Sequence, residues 1–308
     1  MEAKTGNALY AHIDFFVNSL KFMTYNVDQA VREEKFENTK WINRMNRVKS
    51  LINEVDADIV CLQEMRKLPN SPSVNSWLGG FDKYYFEIGF RNASTLSFGQ
   101  AILYKPDRFY AARTIKRWLS DTPAKISDTW AADSSKGFGY LVLLTQFLPV
   151  VNEKVVQNAQ AFWIVNVHFG LDEEIKTKSC HKLIEIVKDV CKDETVIISG
   201  DFNFFPDKDG DKQRAILAEH FTDIGKDAKT LGGKQIEGTF IGYEHDEFKS
   251  DLTNMKSRLD HIFGSKRILE LSDPVLYTKT MLEQEPEELT TRDYPSDHLP
   301  IVANLTLY

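Results

Sequence analysis

Cysteine is scarce: three in 308 residues, at positions 61, 180 and 191, too few for a disulfide framework. Cys61 and its neighbours lie in apolar runs that read as buried core thiols, which suits a reducing compartment or a fold needing no bridges. A long apolar run is also missing, so no membrane-spanning helix is expected. The first twenty residues lack the basic start and apolar core of a secretory signal. Residues 1–20 are expected to be an N-terminal extension, with Ile13, Phe16, Val17 and Leu20 on one face of a short helix, and residues 21–308 one domain; a cytoplasmic location is the default. An excess of basic charge is absent too. The formal net charge is −7, which argues against a broad basic face gripping nucleic acid. It leaves room for an anionic substrate where divalent cations reverse the sign of an acidic cleft. No internal repeat, low-complexity tract or linker divides the chain.

What is present is apolar patterning, with 42% hydrophobic and 12% aromatic residues, enough for a sizeable core. A strand is expected over Leu20–Val27. A helix is expected over Thr39–Val55, with Asn38 or Thr39 as N-cap, Trp41, Ile42, Met45, Val48, Leu51, Ile52 and Val55 on its apolar face and Arg, Lys and Asn opposite. The near-continuous apolar run Asp58–Glu64 reads as a strand buried on both faces. Further strands are expected at Tyr84–Phe90, Gly99–Tyr104, Tyr140–Val150, Ala161–Val167, Thr195–Ser199, Ser257–Phe263 and Leu299–Leu307. Helices are expected at Asp172–Cys191 and Asp207–His220, and irregular stretches at 69–80, 114–138 and 223–256. Partial alternation of strands and helices points to a mixed-sheet α/β domain.

Polar residues recur where apolar strands end: Asn26; Glu64; Asn166 with His168; Asp201 with Asn203; Asp260; Asp297 with His298. Each alone has an ordinary structural explanation. An Asp after Gly200 forms turns, Glu64 could be a solvated strand end, and His168 a hydrogen-bonded structural histidine. Their shared topological place is the place where sheet proteins hold ligands, and a common site is the expectation. Hard oxygen donors without cysteine suit Mg²⁺, with Mn²⁺ as substitute, and Asn26 and Glu64 are the expected metal residues. Mg²⁺ commonly accompanies phosphate, and phosphoryl chemistry needs an oriented water and charge neutralisation. Asp201 could take the proton from that water. Asn203, two positions on and on the same side if the backbone stays extended, could orient it. Asp260 could fix the tautomer of a charged His298.

The segments MTYNVD, DIVCLQEM, VNVHFG, ISGDFN, SRLDHIF and YPSDHLPI, in this order, resemble the motifs of the endonuclease/exonuclease/phosphatase superfamily over residues 21–308. The resemblance implies a four-layer α/β sandwich, two mostly antiparallel mixed sheets face to face with outer helices. It implies Asn26 and Glu64 as metal and phosphate residues, Asp297 as a carboxylate near the metal, Asp201 and Asn203 as the water-activating pair, Asp260 and His298 as an acid–histidine pair, and His168 as the phosphate-contacting histidine of some branches. The implied function is a Mg²⁺-dependent phosphoesterase, first a phosphodiesterase for a nucleotide or short nucleic acid. RWLSDTP at 117–123 and GTFIGY at 238–243 resemble bacterial and deadenylase-like members. A phosphatase of a small or lipid-linked phosphate, such as a phosphoinositide, is the alternative, and a non-catalytic binding module a distant one. No protein partner is inferred.

Asn166 and Arg258 are candidate substrate contacts, Arg258 equally a salt-bridging residue. His261 is expected on the opposite face from Asp260. Asp207–Asp211 lacks the spacing of an EF-hand loop and reads as a helix start. Trp118 and Trp130 could stack on a base or anchor to the core, and Ser296 reads as local hydrogen-bond support.

Overall fold

A computed structural model describes residues 19–29, 36–66, 77–94, 97–130, 139–156, 158–206, 208–226, 228–234, 238–243, 257–265, 268–270, 274–284 and 290–307. The expected N-terminal helix lies outside these residues, apart from Leu20. Two sheets face each other. The first runs, in strand order, β11 (Lys229–Thr230), β14 (Val275–Leu276), β15 (Ile301–Leu307), β1 (Ser19–Asn26), β2 (Ile59–Arg66), β4 (Phe98–Tyr104) and β3 (Tyr85–Phe90), with β13 (Ile268–Glu270) also on β15. The second runs β10 (Thr222–Ile224), β12 (Asp260–Gly264), β9 (Thr195–Asp201), β8 (Phe162–His168), β6 (Leu141–Val151) and β5 (Phe109–Trp118), with β7 (Lys154–Val155) on β6. Pairing is mostly antiparallel, but β1–β2, β8–β9 and the short β11–β14 are parallel. Among the described residues the α-helices are α1 (Trp41–Val55), α2 (Glu173–Cys191) and α3 (Gly210–Ala218), with short 3-10 turns at Glu37–Thr39 and Thr291–Asp293.

The apolar clusters define the layers. Phe22, Ile59, Cys61, Ile102, Ile164, Ile197, Ile262 and Ile301 fill the space between the sheets. The alternate residues Met23, Tyr25, Val60 and Leu62 turn outward to Trp41, Val48, Leu51, Ile52 and Val55 of α1. On the other side, Trp163, Val165, Val196, Ile198 and Phe263 meet Cys180, Leu183, Ile184 and Val187 of α2 and Leu217 of α3. This is the four-layer α/β/β/α sandwich, and the period of two along each strand sorts residues between the layers. Among the described residues no helix is long and apolar enough to cross a membrane.

Several local expectations need correction. Residues 114–118 belong to β5, an edge strand whose exposed Lys116 and half-buried Arg117 hid its period, so the irregular stretch starts later. The helix expected over Asp207–His220 is the shorter α3. Lys40, with no side-chain cap bond, is the N-cap of α1, while Thr39 Oγ1 donates to the Phe36 carbonyl. On α1, Ile42 is 56% exposed and Arg44 is fully buried. Arg44 is inward because it has carbonyls to serve: it donates to Thr39 O, Val27 O (3.1 Å), Asp28 O (2.6 Å) and Pro295 O (2.7 Å). It thereby ties the chain after Asn26 to the chain before Asp297.

Candidate active site

Register alone aligns one wall of the cleft. His168 is the parallel partner of Asp201, and Asp260 is its antiparallel partner. All three fall on the face turned to the other sheet. Gly200 makes the close β8–β9 contact possible: its φ is 147°, and a Cβ there would lie 1.9 Å from the Val167 carbonyl oxygen.

The opposite wall needs a device that periodicity hides. Val60 and Leu62 face outward, so a regular strand would send Glu64 outward too. A bulge between Leu62 and Met65, with Glu64 at φ 57°, turns its side chain into the cleft. Asn203 also leaves extended geometry, at φ 53°. Its N–H donates to Asp201 Oδ1 (2.9 Å) and its side-chain NH₂ to the Phe169 carbonyl (3.0 Å). The fully buried Lys176 of α2 donates to the Asn203 carbonyl at 2.6 Å and pairs with Glu173 at 2.7 Å. Non-glycine residues in left-handed geometry collect at functional sites, and here two of the expected site residues adopt it.

Asp201 Oδ2 is the point of convergence. It accepts from Asn26 Nδ2 at 2.9 Å and lies 3.6 Å from His168 Nε2 and 3.8 Å from His298 Nε2. Asn26 Nδ2 also reaches Glu64 Oε1 at 3.2 Å, and Glu64 Oε1 is 3.9 Å from His168 Nε2. Behind His298, Nδ1 is 2.7 Å from Asp260 Oδ2. Ser296 Oγ donates to the Asn26 carbonyl at 2.7 Å and accepts from His298 N at 3.3 Å, the local support expected of it.

Burial and mutual charge set unequal protonation. Burial raises Asp201 most; His298 opposes this, and Asp260 and Glu64 add to it, leaving its pKa at about 7. Burial disfavours a charged His298, but Asp260, Asp201 and Asp297 outweigh it and hold the imidazolium well above the ordinary histidine range. His168 is held well below that range by burial and by the charges of Arg91 and His298. The site thus combines a carboxyl that titrates near neutrality, a cationic imidazole and a neutral one, a division of protonation states found where protons are moved.

Ligand atoms of Glu64, His168 and Asp201 lie within 4.8 Å of one another, as do those of Asp201, Asp260 and His298. Carboxylates with imidazole and no thiolate suit a hard or borderline divalent ion, so the residues fit the metal that the sequence implies.

Asn26 turns its NH₂ to the carboxylates of Glu64 and Asp201, while its oxygen accepts from Asp28 N at 3.0 Å. Three expected site residues are placed differently. Asp297 is 2% exposed and outside both ligand clusters; Ser296 Oγ lies 3.4 Å from its Oδ1, and its charge acts on Tyr25, Arg44 and His298. Asn166 has the right face but lies one layer deeper than His168. It donates to Leu62 O (3.0 Å) and Ala101 O (2.9 Å) and accepts from Gln63 Nε2 (2.8 Å), a tie between the sheets. Arg258 precedes β12, where the strand period does not apply, and lies 3.7 Å from Asp223 on the outer side with His261. His261 packs among Phe202, Phe204 and Phe263, and Trp118 is an anchor, its Nε1 donating to Arg91 O at 2.8 Å.

Arg91 and Lys176 were not singled out in the sequence. A lysine on an otherwise polar helix face and an arginine in a Ser- and Asn-rich turn carry no periodic signal.

A sandwich of this topology with acids, amides and histidines gathered between its sheets defines a phosphoester hydrolase. The model of the endonuclease/exonuclease/phosphatase family matches residues 23–298, and the chain belongs to that family of metal-dependent phosphoesterases. A protein of Acanthamoeba polyphaga mimivirus, L388, described as uncharacterized, is 27% identical over 287 residues, 92% of this chain and 98% of that one. Among solved structures, the Bacteroides thetaiotaomicron mannosyl-6-phosphatase Bt3783 superposes with a TM-score of 0.70 at 21% identity, covering 94% of this chain and all of that one. D. rerio TDP2, solved with a single-stranded DNA product, superposes with a TM-score of 0.63 at 17% identity over 94% of this chain and 99% of that one.

Proposed function

We propose that the protein is a Mg²⁺-dependent phosphodiesterase acting on a nucleotide or a short nucleic acid. The observation that carries this reading is the convergence of Asn26, His168 and His298 on Asp201 Oδ2, with Asp260 2.7 Å behind His298. In it, Asp201 is the general base: its pKa of about 7 lets it be ionised in part at neutral pH and still take up a proton from water. Asn203 gives its NH₂ to Phe169 O, which leaves its side-chain oxygen to orient that water. His298, kept cationic by Asp260, donates from Nε2 to a phosphate oxygen, and neutral His168 gives a second donor opposite Glu64. A divalent cation would neutralise charge on the phosphate; Glu64 would hold it, with Asp201 kept for the water and His168 for the phosphate.

The mannosyl-6-phosphatase likeness supports a second reading, a phosphatase of a small phosphomonoester. A panel of dinucleotides, short and long oligonucleotides, hexose phosphates and inositol phosphates, assayed with Mg²⁺ and with the Asp201→Ala protein as blank, separates them. Preference for short diesters is expected. Turnover confined to monoesters overturns the phosphodiesterase reading in favour of the second.

A further inference from the structure

A second feature lies beside the catalytic cluster, built from strand neighbours in the first sheet. Arg66 is the register partner of Phe98, and on the far side of Phe98 the Arg91 N–H donates to the Phe98 carbonyl at 2.8 Å. Both guanidinium groups lie on the Phe98 ring, at 4.8 Å for Arg66 and 5.5 Å for Arg91. The three residues stand in a row at the same edge of the sheet as Asn26 and Glu64.

This row is built and not merely exposed. Arg91 is 8% exposed and also stacks on Tyr140 at 5.3 Å. Trp118 holds its carbonyl. Tyr140 has room only because residue 170 is glycine, where a Cβ would meet its Oη at 2.2 Å. One Arg91 nitrogen donates to the His168 carbonyl at 3.4 Å, so the guanidinium adjoins the residue facing Glu64. Arg66 Nε is buried with no hydrogen-bond partner. Neither arginine has a carboxylate within ion-pairing distance among the described residues, although other cations of this acidic chain, including Arg108, Lys105 and Lys176, do. Two guanidinium groups gathered on one ring, with no carboxylate in ion-pair contact, suit an anion, although Glu64 and Asp201 act on Arg91 from farther off, and their planar donors match phosphate.

We propose that Phe98 with Arg66 and Arg91 forms a second anion subsite, taking a further phosphate of the substrate beyond the Glu64–His168 side of the scissile one. This rests on the phosphoesterase reading and narrows it to substrates with at least two phosphates near each other. A nucleotide with a phosphate on each sugar hydroxyl and a neighbouring phosphate in a short oligonucleotide offer the same chemistry.

The test compares the p-nitrophenyl ester of thymidine monophosphate with the same ester carrying a further phosphate on the other sugar hydroxyl, and the dinucleotide with its terminally phosphorylated form, in Mg²⁺. The expected kcat/KM preference of the wild-type protein for the extra phosphate is about ten-fold or more, the scale of one charge-assisted hydrogen bond. Arg66→Met and Arg91→Met, which keep the stacking bulk, are expected to bring that ratio close to unity. A preference in the ester pair alone points to the small nucleotide; one in both pairs admits the oligonucleotide. Should Arg91→Met fail to fold, the wild-type ratio and Arg66→Met decide. Equal kcat/KM for both members of both pairs in the wild-type protein, or a preference that survives in Arg66→Met, overturns the subsite alone. No turnover of any of the four compounds defeats the phosphodiesterase reading instead.

Discussion

A carboxylate at position 64 reaches the cleft because its backbone leaves the strand conformation, and Gly200 lets its neighbour strand approach because it has no side chain. At Gly200 a methyl group meets the Val167 carbonyl and a positive φ together. Gly200→Ala is therefore expected to cost about 3 kcal/mol or more, read as a shift in the denaturant midpoint; an unchanged midpoint would show that β8 and β9 can separate without penalty. His261 shows a different effect of burial. Enclosure, and the charges of Arg258 and Arg214, keep its pKa well below the ordinary value. The folded protein resists protonating it, while the unfolded chain takes up the proton below about pH 6.5. Its contribution is complete above that pH and is lost as the pH falls. His168 acts in the same direction. His261→Phe, a ring placed among Phe202, Phe204 and Phe263, is expected to flatten the loss of stability on acidification by up to about 1.4 kcal/mol per pH unit. Melts at several pH values check this, and parallel curves for the two proteins would contradict it.

Strand ends and helix faces differ in how much of them can be read from the sequence. Asp201, Asp260 and His168 were legible because each stands at one end of an apolar strand, Asp201 and His168 last and Asp260 first, on the face that strand's own period assigns, and the resemblance of the motifs placed them in order. The errors come from places where the period stops. Arg258 lies just outside β12, Asn203 just beyond β9, and Glu64 on a bulge, so counting by two misplaces or fails to orient each of them. Asn166 obeys the count but not the depth, which depends on the facing sheet. Arg44 and Lys176 are legible only once the carbonyls they serve are known. Lys176 makes a direct prediction, since it holds the Asn203 carbonyl from a helix in another layer. Lys176→Met leaves that buried carbonyl without its partner, at about 3 kcal/mol, and is expected to lower kcat about ten-fold with little change in KM by releasing Asn203. Loss of stability with kcat intact would make Lys176 a support of the fold alone.

On the scale of the whole molecule, the two sheets are joined beneath the cleft by polar contacts, not only by apolar ones. Asn166 contacts Leu62 and Ala101 of the first sheet, and Gln63 links it onward to Thr24. Asn166→Leu keeps the branched outline but strands these buried groups, at about 3 kcal/mol, measured by denaturant unfolding. Through such ties the cleft keeps its width, and opposing walls from β1, β2, β8, β9 and β12 meet at Asp201. The account turns on that carboxylate. Hydrolysis of bis(p-nitrophenyl) phosphate by the wild-type protein and by Asp201→Asn, in Mg²⁺ and after chelation, tests it most directly. The expected result is turnover that chelation abolishes and Mg²⁺ restores, with a loss of kcat of about 10³-fold in the variant at an unchanged melting temperature. Equal turnover by the two folded proteins would contradict it.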